Sequence, residues 1–176
     1  MGSKGNKKED FMPKLKQNAI ALLKADHRKV KDLFKQFEES GSQAAKAKIA
    51  QEAIKELKIH TVIEEEIFYP AVRQAIQDED DIMNEAQEEH HVAKMLIAEL
   101  ERIGHQNEHF EAKFTVLAEN VRHHIKEEEE EMLPEAKKTD IDFDALGEQM
   151  MERKQRLQTE GIPETEEEEL IGVKSQ

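Results

Sequence analysis

His60-Thr61-Val62-Ile63-Glu64-Glu65-Glu66-Ile67-Phe68-Tyr69-Pro70-Ala71 lines up without gaps on His124-Ile125-Lys126-Glu127-Glu128-Glu129-Glu130-Glu131-Met132-Leu133-Pro134-Glu135, and that duplication decides how the chain is read. Each copy carries a histidine, a glutamate four residues on and a proline ten residues on. Residues four apart in an α-helix lie on one face, a turn apart. Each copy therefore presents an imidazole beside a carboxylate, and the two helices are expected to be related by a pseudo-twofold axis. Proline removes a backbone hydrogen bond to the preceding turn, which predicts a kink or a helix end near Pro70 and Pro134.

Outward from these copies the pattern is helical. Four long helices are predicted, from about Pro13 to Glu38, Gln43 to Gln77, Asp80 to Ile103 and Glu108 to Lys138. Ser40-Gly41-Ser42 and Gly104 punctuate them, with glycine as a helix stop and Ser42 as an N-cap. Such short connections make neighbours antiparallel. The expected fold class is all-α, an antiparallel up-down-up-down four-helix bundle with a C-terminal extension.

Apolar residues recur three and four positions apart, as a bundle core requires. The stripes run through Ile20, Leu23, Val30 and Phe34, then Ala53, Leu57 and Ile67, then Met83, Ala86, Ala93 and Ile97, then Phe114, Leu117 and Val121. A histidine interrupts each one: His27, His60, His90 and His124. Glu64 and Glu128 follow two of these by one turn. Counted from the helix breaks, the positions agree to within about one 5.4 Å turn, so all six side chains meet at one level.

Burying two ionised carboxylates without partners costs on the order of several kcal/mol each. Metal cations offset that cost and would couple binding to folding. The candidate ligands are His27, His60, Glu64, His90, His124 and Glu128, with the carboxylates bridging two ions and coordination positions left open. A metal-free bundle would have to hold the same groups as His–Glu pairs or protonated acids.

Composition narrows the chemistry. The 176 residues include no cysteine, which excludes disulfides, thiolate-held clusters and thiol catalysis. Imidazole and carboxylate ligands suit iron, manganese or zinc. A formal charge of −14 argues against nucleic acid as a partner. No apolar run approaches the roughly 20 residues needed to span a bilayer, and Met1–Glu9 has no signal-like apolar stretch. The cytoplasm is the expected location.

The remaining titratable residues read more plainly. His91 and His123 lie about 100° round their helices from the stripe, and His105 and His109 flank a turn, so all four are read as solvated or supporting groups. Glu65, Glu66, Glu127 and Glu129–Glu131 read as a solvated charged face, and Tyr69 as core packing. Residues 1–12 form a lead-in and 13–140 the bundle. A short docking helix is expected over 141–158, carried by Ile141, Phe143, Leu146 and Met150. The glutamate run within 159–176 reads as a disordered acidic tail.

Asp26-His27, His60-x3-Glu64, Glu89-His90 and His124-x3-Glu128 ahead of Met132-Leu133-Pro134, in that order, resemble the hemerythrin-like, or HHE cation-binding, family over about residues 14–138. The resemblance implies the four-helix bundle of myohemerythrin. It also implies a non-heme di-iron centre, two Fe ions joined by an oxo or hydroxo group, that binds or reacts with oxygen, peroxide or nitric oxide. Oxygen carriers of the family usually place a fifth histidine one turn after the third-helix histidine, and this chain departs from that pattern with Lys94. A ferritin-like scheme fits poorly, since neither Glu64 nor Glu128 is followed by histidine three residues on. The alternative reading is an iron-handling or metal-stabilised interaction or regulatory module without catalysis.

Overall fold

The computed structural model describes residues 18–76 and 80–173. The expected lead-in, the helix start at Pro13, the helix end at Gln77 and the last three residues lie outside them. Every regular element described is helical. The first helix, α1, spans Ala19–Glu39, opened by Asn18, whose side chain accepts from the Ile20 N–H. Helix α2 spans Gln43–Ile63, capped by the Ser42 side chain on the Ala45 N–H. It runs on through a π-helical turn, Glu64–Phe68, into α3, Tyr69–Ala75. Helix α4 spans Asp80–Ile103 and stops at Gly104, whose φ of 70° suits glycine. Helix α5, Phe110–Glu127, passes through a second π-helical turn, Glu128–Met132, into α6, Leu133–Ala136.

A matched pair of π-helical turns lies just ahead of the two prolines, and the helix that carries Pro134 ends two residues on, at Ala136. Proline clashes with the carbonyl four residues before it, here Glu66 for Pro70 and Glu130 for Pro134. Widening the turn moves that carbonyl away, and the N–H groups of Tyr69 and Leu133 reach back five residues to Glu64 and Glu128. Both wide turns begin on the glutamate of the repeat.

Buried apolar residues form two clusters rather than one. The first joins the start of α1 (Ile20, Leu23) with the α2–α3 junction (Ile63, Phe68, Val72), the start of α4 (Met83, Ala86) and α6 (Leu133, Ala136). The second joins the later part of α1 (Val30, Phe34, Phe37) with the first half of α2 (Ala50, Leu57), the later half of α4 (Ile97, Leu100) and α5 (Phe114, Val121). Between them lies a layer of buried polar residues: Asp26, His27, His60, Thr61, Glu64, His90, His124 and Glu128.

The segment after the bundle is more ordered than its composition suggests. Helix α7, Phe143–Glu160, packs on α1 and α2 and buries Leu146, Met150 and Leu157. The glutamate run, expected to be disordered, contains α8, Glu166–Ile171, which packs on α4. A capping box holds it, with the Thr165 side chain on the Glu168 N–H and the Glu168 carboxylate on the Thr165 N–H. No described helix is long and apolar enough to cross a membrane.

Candidate metal centre

All six ligand candidates are buried, Glu64 completely and His27 and Glu128 at 1 % exposure. They come together in two groups that share Glu64. In one, ligand atoms of His27, His60, Glu64 and Glu128 lie within 4.8 Å of one another; in the other, those of Glu64, His90 and His124 do. His60 Nε2 is 3.1 Å from one Glu64 oxygen and His90 Nε2 is 3.3 Å from the other. His27 Nε2 stands 3.0 Å from Glu128. His90 Nε2 and His124 Nε2 are 3.2 Å apart.

These contacts are ion pairs only while the imidazoles carry a proton. His27 Nε2, His60 Nε2, Glu64 Oε1 and both Glu128 oxygens are buried without a hydrogen-bond partner. Buried polar atoms are nearly always bonded, and the ligand atoms of these four residues instead gather within 4.8 Å of one another. That is the arrangement of a ligand cage, and the donor set fits hard or borderline divalent cations.

Four carboxylates stand behind the imidazoles. Glu129 is 2.8 Å from His27 Nδ1, Glu65 3.1 Å from His90 Nδ1 and Glu89 2.8 Å from His124 Nδ1. Asp26 faces His60 Nδ1 at 3.6 Å, beyond hydrogen-bond length. The scheme obeys the pseudo-twofold relation. The acid after each repeat glutamate serves a histidine of α1 or α4, and the acid before each of those serves a histidine of α2 or α5. A carboxylate on Nδ1–H fixes the tautomer and leaves the Nε2 lone pair facing the cage. Glu65 and Glu129, read from sequence as solvated, are therefore corrected.

Tyr69 packs in the core, as read from sequence, and its hydroxyl also reaches the site. Its hydroxyl lies 3.2 Å from His90 Nε2 and 3.5 Å from both Glu64 and His124 Nε2. Five α-helical residues past Glu64 would place it about 140° round the axis, and the π-helical turn brings it back toward the centre. The repeat puts Leu133 at the matching place, so only one half has a hydroxyl. His91 and His123 are about half exposed or more, at 51 % and 60 %, as solvated groups should be. Lys94 is turned to Glu65, 3.0 Å away, rather than to the cage.

A cavity of about 20 Å³ adjoins the imidazoles, walled by Val30, Leu57, Ala93, Ile97, Val121 and Ile125. With a water-sized probe needing roughly 10–15 Å³, it admits a ligand of one or two heavy atoms.

Comparison with known proteins agrees with this geometry. A DNA nickase from Nostoc sp. is 27 % identical over 127 residues, which cover 72 % of this chain and 34 % of that protein, so the match spans about a third of the relative. A crystal structure of a hemerythrin HHE cation-binding domain-containing protein from Mycobacterium kansasii superposes with a TM-score of 0.66 at 27 % identity, covering 82 % of this chain and 94 % of that one. The sequence profile of the hemerythrin HHE cation binding domain matches residues 18–136. This chain belongs to the hemerythrin HHE cation-binding domain family.

Proposed function

We propose that this protein is a non-heme di-iron protein whose two ions are held by His27, His60, Glu64, His90, His124 and Glu128, and that the centre binds or reacts with oxygen, peroxide or nitric oxide. The observation that carries the reading is the pair of buried groups sharing Glu64, with orphaned ligand atoms beside a cavity too small for an organic substrate. Bound iron supplies one-electron chemistry and open coordination positions. The chain supplies the rest. Asp26, Glu65, Glu89 and Glu129 orient the imidazoles, the apolar wall excludes bulk water, and the Tyr69 Oη–H is the proton donor placed to reach a small ligand on the His90/His124 side. The clustering of opposite helix ends in each half of the core supports an up-down-up-down arrangement of the four long runs. Manganese or zinc would fit the same donors, and the cytoplasm remains the expected location.

Anaerobic reconstitution with ferrous iron, followed by air, should give about two irons per chain and near-ultraviolet charge-transfer absorption. A chain that takes up no metal, or a single zinc, sinks the di-iron reading. Peroxide decay with and without iron separates catalysis from the alternative, an iron-handling or metal-stabilised regulatory module. That alternative draws support from the polar layer between the two apolar clusters, which a structural metal would also serve. Nicking of DNA is not part of the proposal, since a charge of −14 repels the phosphate backbone.

A further inference from the structure

We propose that Lys154 makes the two metal positions unequal, so that the one at His27 and His60 is the more easily reduced. The proposal rests on the di-iron reading and concerns a residue of α7, beyond the matched family region of residues 18–136.

The outer carboxylates fall into two symmetry-related pairs. In the first pair each carboxylate has a lysine beside it. Glu129, behind His27, has Lys31 at 3.7 Å, and Glu65, behind His90, has Lys94 at 3.0 Å. Each lysine lies four residues after the histidine of its own helix. In the second pair, among the described residues, only one does. Asp26, behind His60, receives a hydrogen bond from Lys154 Nζ, an ion pair with both side chains largely buried at 17 % and 9 % exposure. Glu89, behind His124, has hydrogen bonds and ion pairs among the described residues only to His124 and to His123, the latter 3.6 Å away and 60 % exposed. One half therefore has two ammonium groups behind it and the other half has one.

Two effects follow, and they have the same sign. A fixed positive charge in a poorly solvated site favours the metal state that carries less charge, which is the reduced one. Lys154 also draws Asp26 to itself. The Asp26–His60 separation of 3.6 Å exceeds the 2.8 Å between Glu89 and His124, while Asp26 Oδ2 and His60 Nδ1 each lack another partner. A carboxylate bonded to Nδ1–H raises the basicity of an imidazole ligand. His60 is thus the weaker donor of the pair, which again favours reduction on its side.

The test uses the full chain reconstituted with ferrous iron, oxidised in air and titrated with dithionite. Two separate one-electron steps are expected. Lys154→Met should move the first step to lower potential and narrow the gap, and Lys154→Arg should restore it. Asp26→Asn removes the pull on His60 while keeping the lysine, so its first step should move the opposite way, to higher potential. Loosened packing of α7 would shift both variants in the same direction. Unchanged potentials in Lys154→Met, an Arg variant as displaced as the Met variant, or shifts of one sign in Lys154→Met and Asp26→Asn each overturn the proposal. Failure of the parent chain to take up a pair of irons overturns the di-iron reading instead, and this one with it.

Discussion

Among the described residues Glu64 is the one side chain that belongs to both ligand groups, with its two oxygens facing His60 and His90. Changing Glu64 to Ala should reduce bound metal to one ion or none per chain, measured by elemental analysis; retention of two would show that it is not shared. Changing Glu129 to Gln leaves every direct ligand in place. It should weaken metal binding by about 10–100-fold, read by chelator competition, and unchanged affinity would assign Glu129 to the surface after all. Proton linkage gives a further check. In the metal-free chain burial pushes His60 down, but Glu64 and Asp26 outweigh it and raise the imidazole to about 10. The same contest, with Glu64 and Glu65 as partners, raises His90 to about 9. Folded values above the unfolded value of about 6.5 give stability that is complete below that pH and is lost as pH rises through 9 to 10. The metal-free Tm should therefore fall between pH 7 and pH 10, and metal uptake near neutrality should release protons. Melts across pH, with calorimetry in buffers of different ionisation enthalpy, read both; a Tm that rises with pH contradicts the assignment.

Among the elements, the two π-helical turns show where a helical wheel stops being a reliable guide. A period of 3.6 residues correctly turned His27, His60, Glu64, His90, His124 and Glu128 inward, because each lies in α-helix or at the first residue of a wide turn. Tyr69 lies just beyond such a turn, and its inward position follows from one i→i−5 bond that a fixed period cannot represent. Glu65 and Glu129 point outward on the wheel as they should. What the wheel omits is the length of a glutamate, which lets each reach the Nδ1 of a histidine on another helix. Helix α8 departs from the expected disordered tail for a different reason. Glutamate-rich composition outweighed Thr165-x-x-Glu168, a capping box that was legible in the sequence. If Pro70 creates the wide turn, Pro70→Ala should separate two properties. The restored N–H and the absence of a ring clash favour an ordinary α turn, which raises stability of the metal-free chain, since proline inside a helix costs about 3 kcal/mol. Tyr69 would then turn away from His90, and metal binding should weaken. A variant with both properties lowered, in metal-free melts and in chelator competition, would place the origin of the turn elsewhere.

At the scale of the whole molecule, the polar layer sets the terms of stability. Two apolar clusters, each built from four or more helical elements, meet across a sheet of imidazoles and carboxylates instead of joining into one core. The positions of that layer were readable as interruptions of four stripes. That it divides the core could not be read, because the division depends on how far apart the stripes pack. Without metal, the layer holds buried carboxylates whose attraction to the imidazoles must repay their desolvation, and such pairs add little net stability. With metal, binding free energy is added directly to folding. An ion present at a thousand times its Kd contributes about 4 kcal/mol, and each kcal/mol raises the Tm of a chain this size by about 2–4 °C. One tightly held ion should thus raise Tm by roughly 8–16 °C, and a second should raise it further. Calorimetry of the chelator-stripped protein against the iron-reconstituted one measures the shift. The two clusters also predict how the stripped protein fails. If the layer couples them only through metal, the stripped chain should unfold over a broader transition, with a van't Hoff enthalpy below the calorimetric one. Equal enthalpies in both forms would mean that the helices themselves, running unbroken from one cluster to the other, carry the cooperativity.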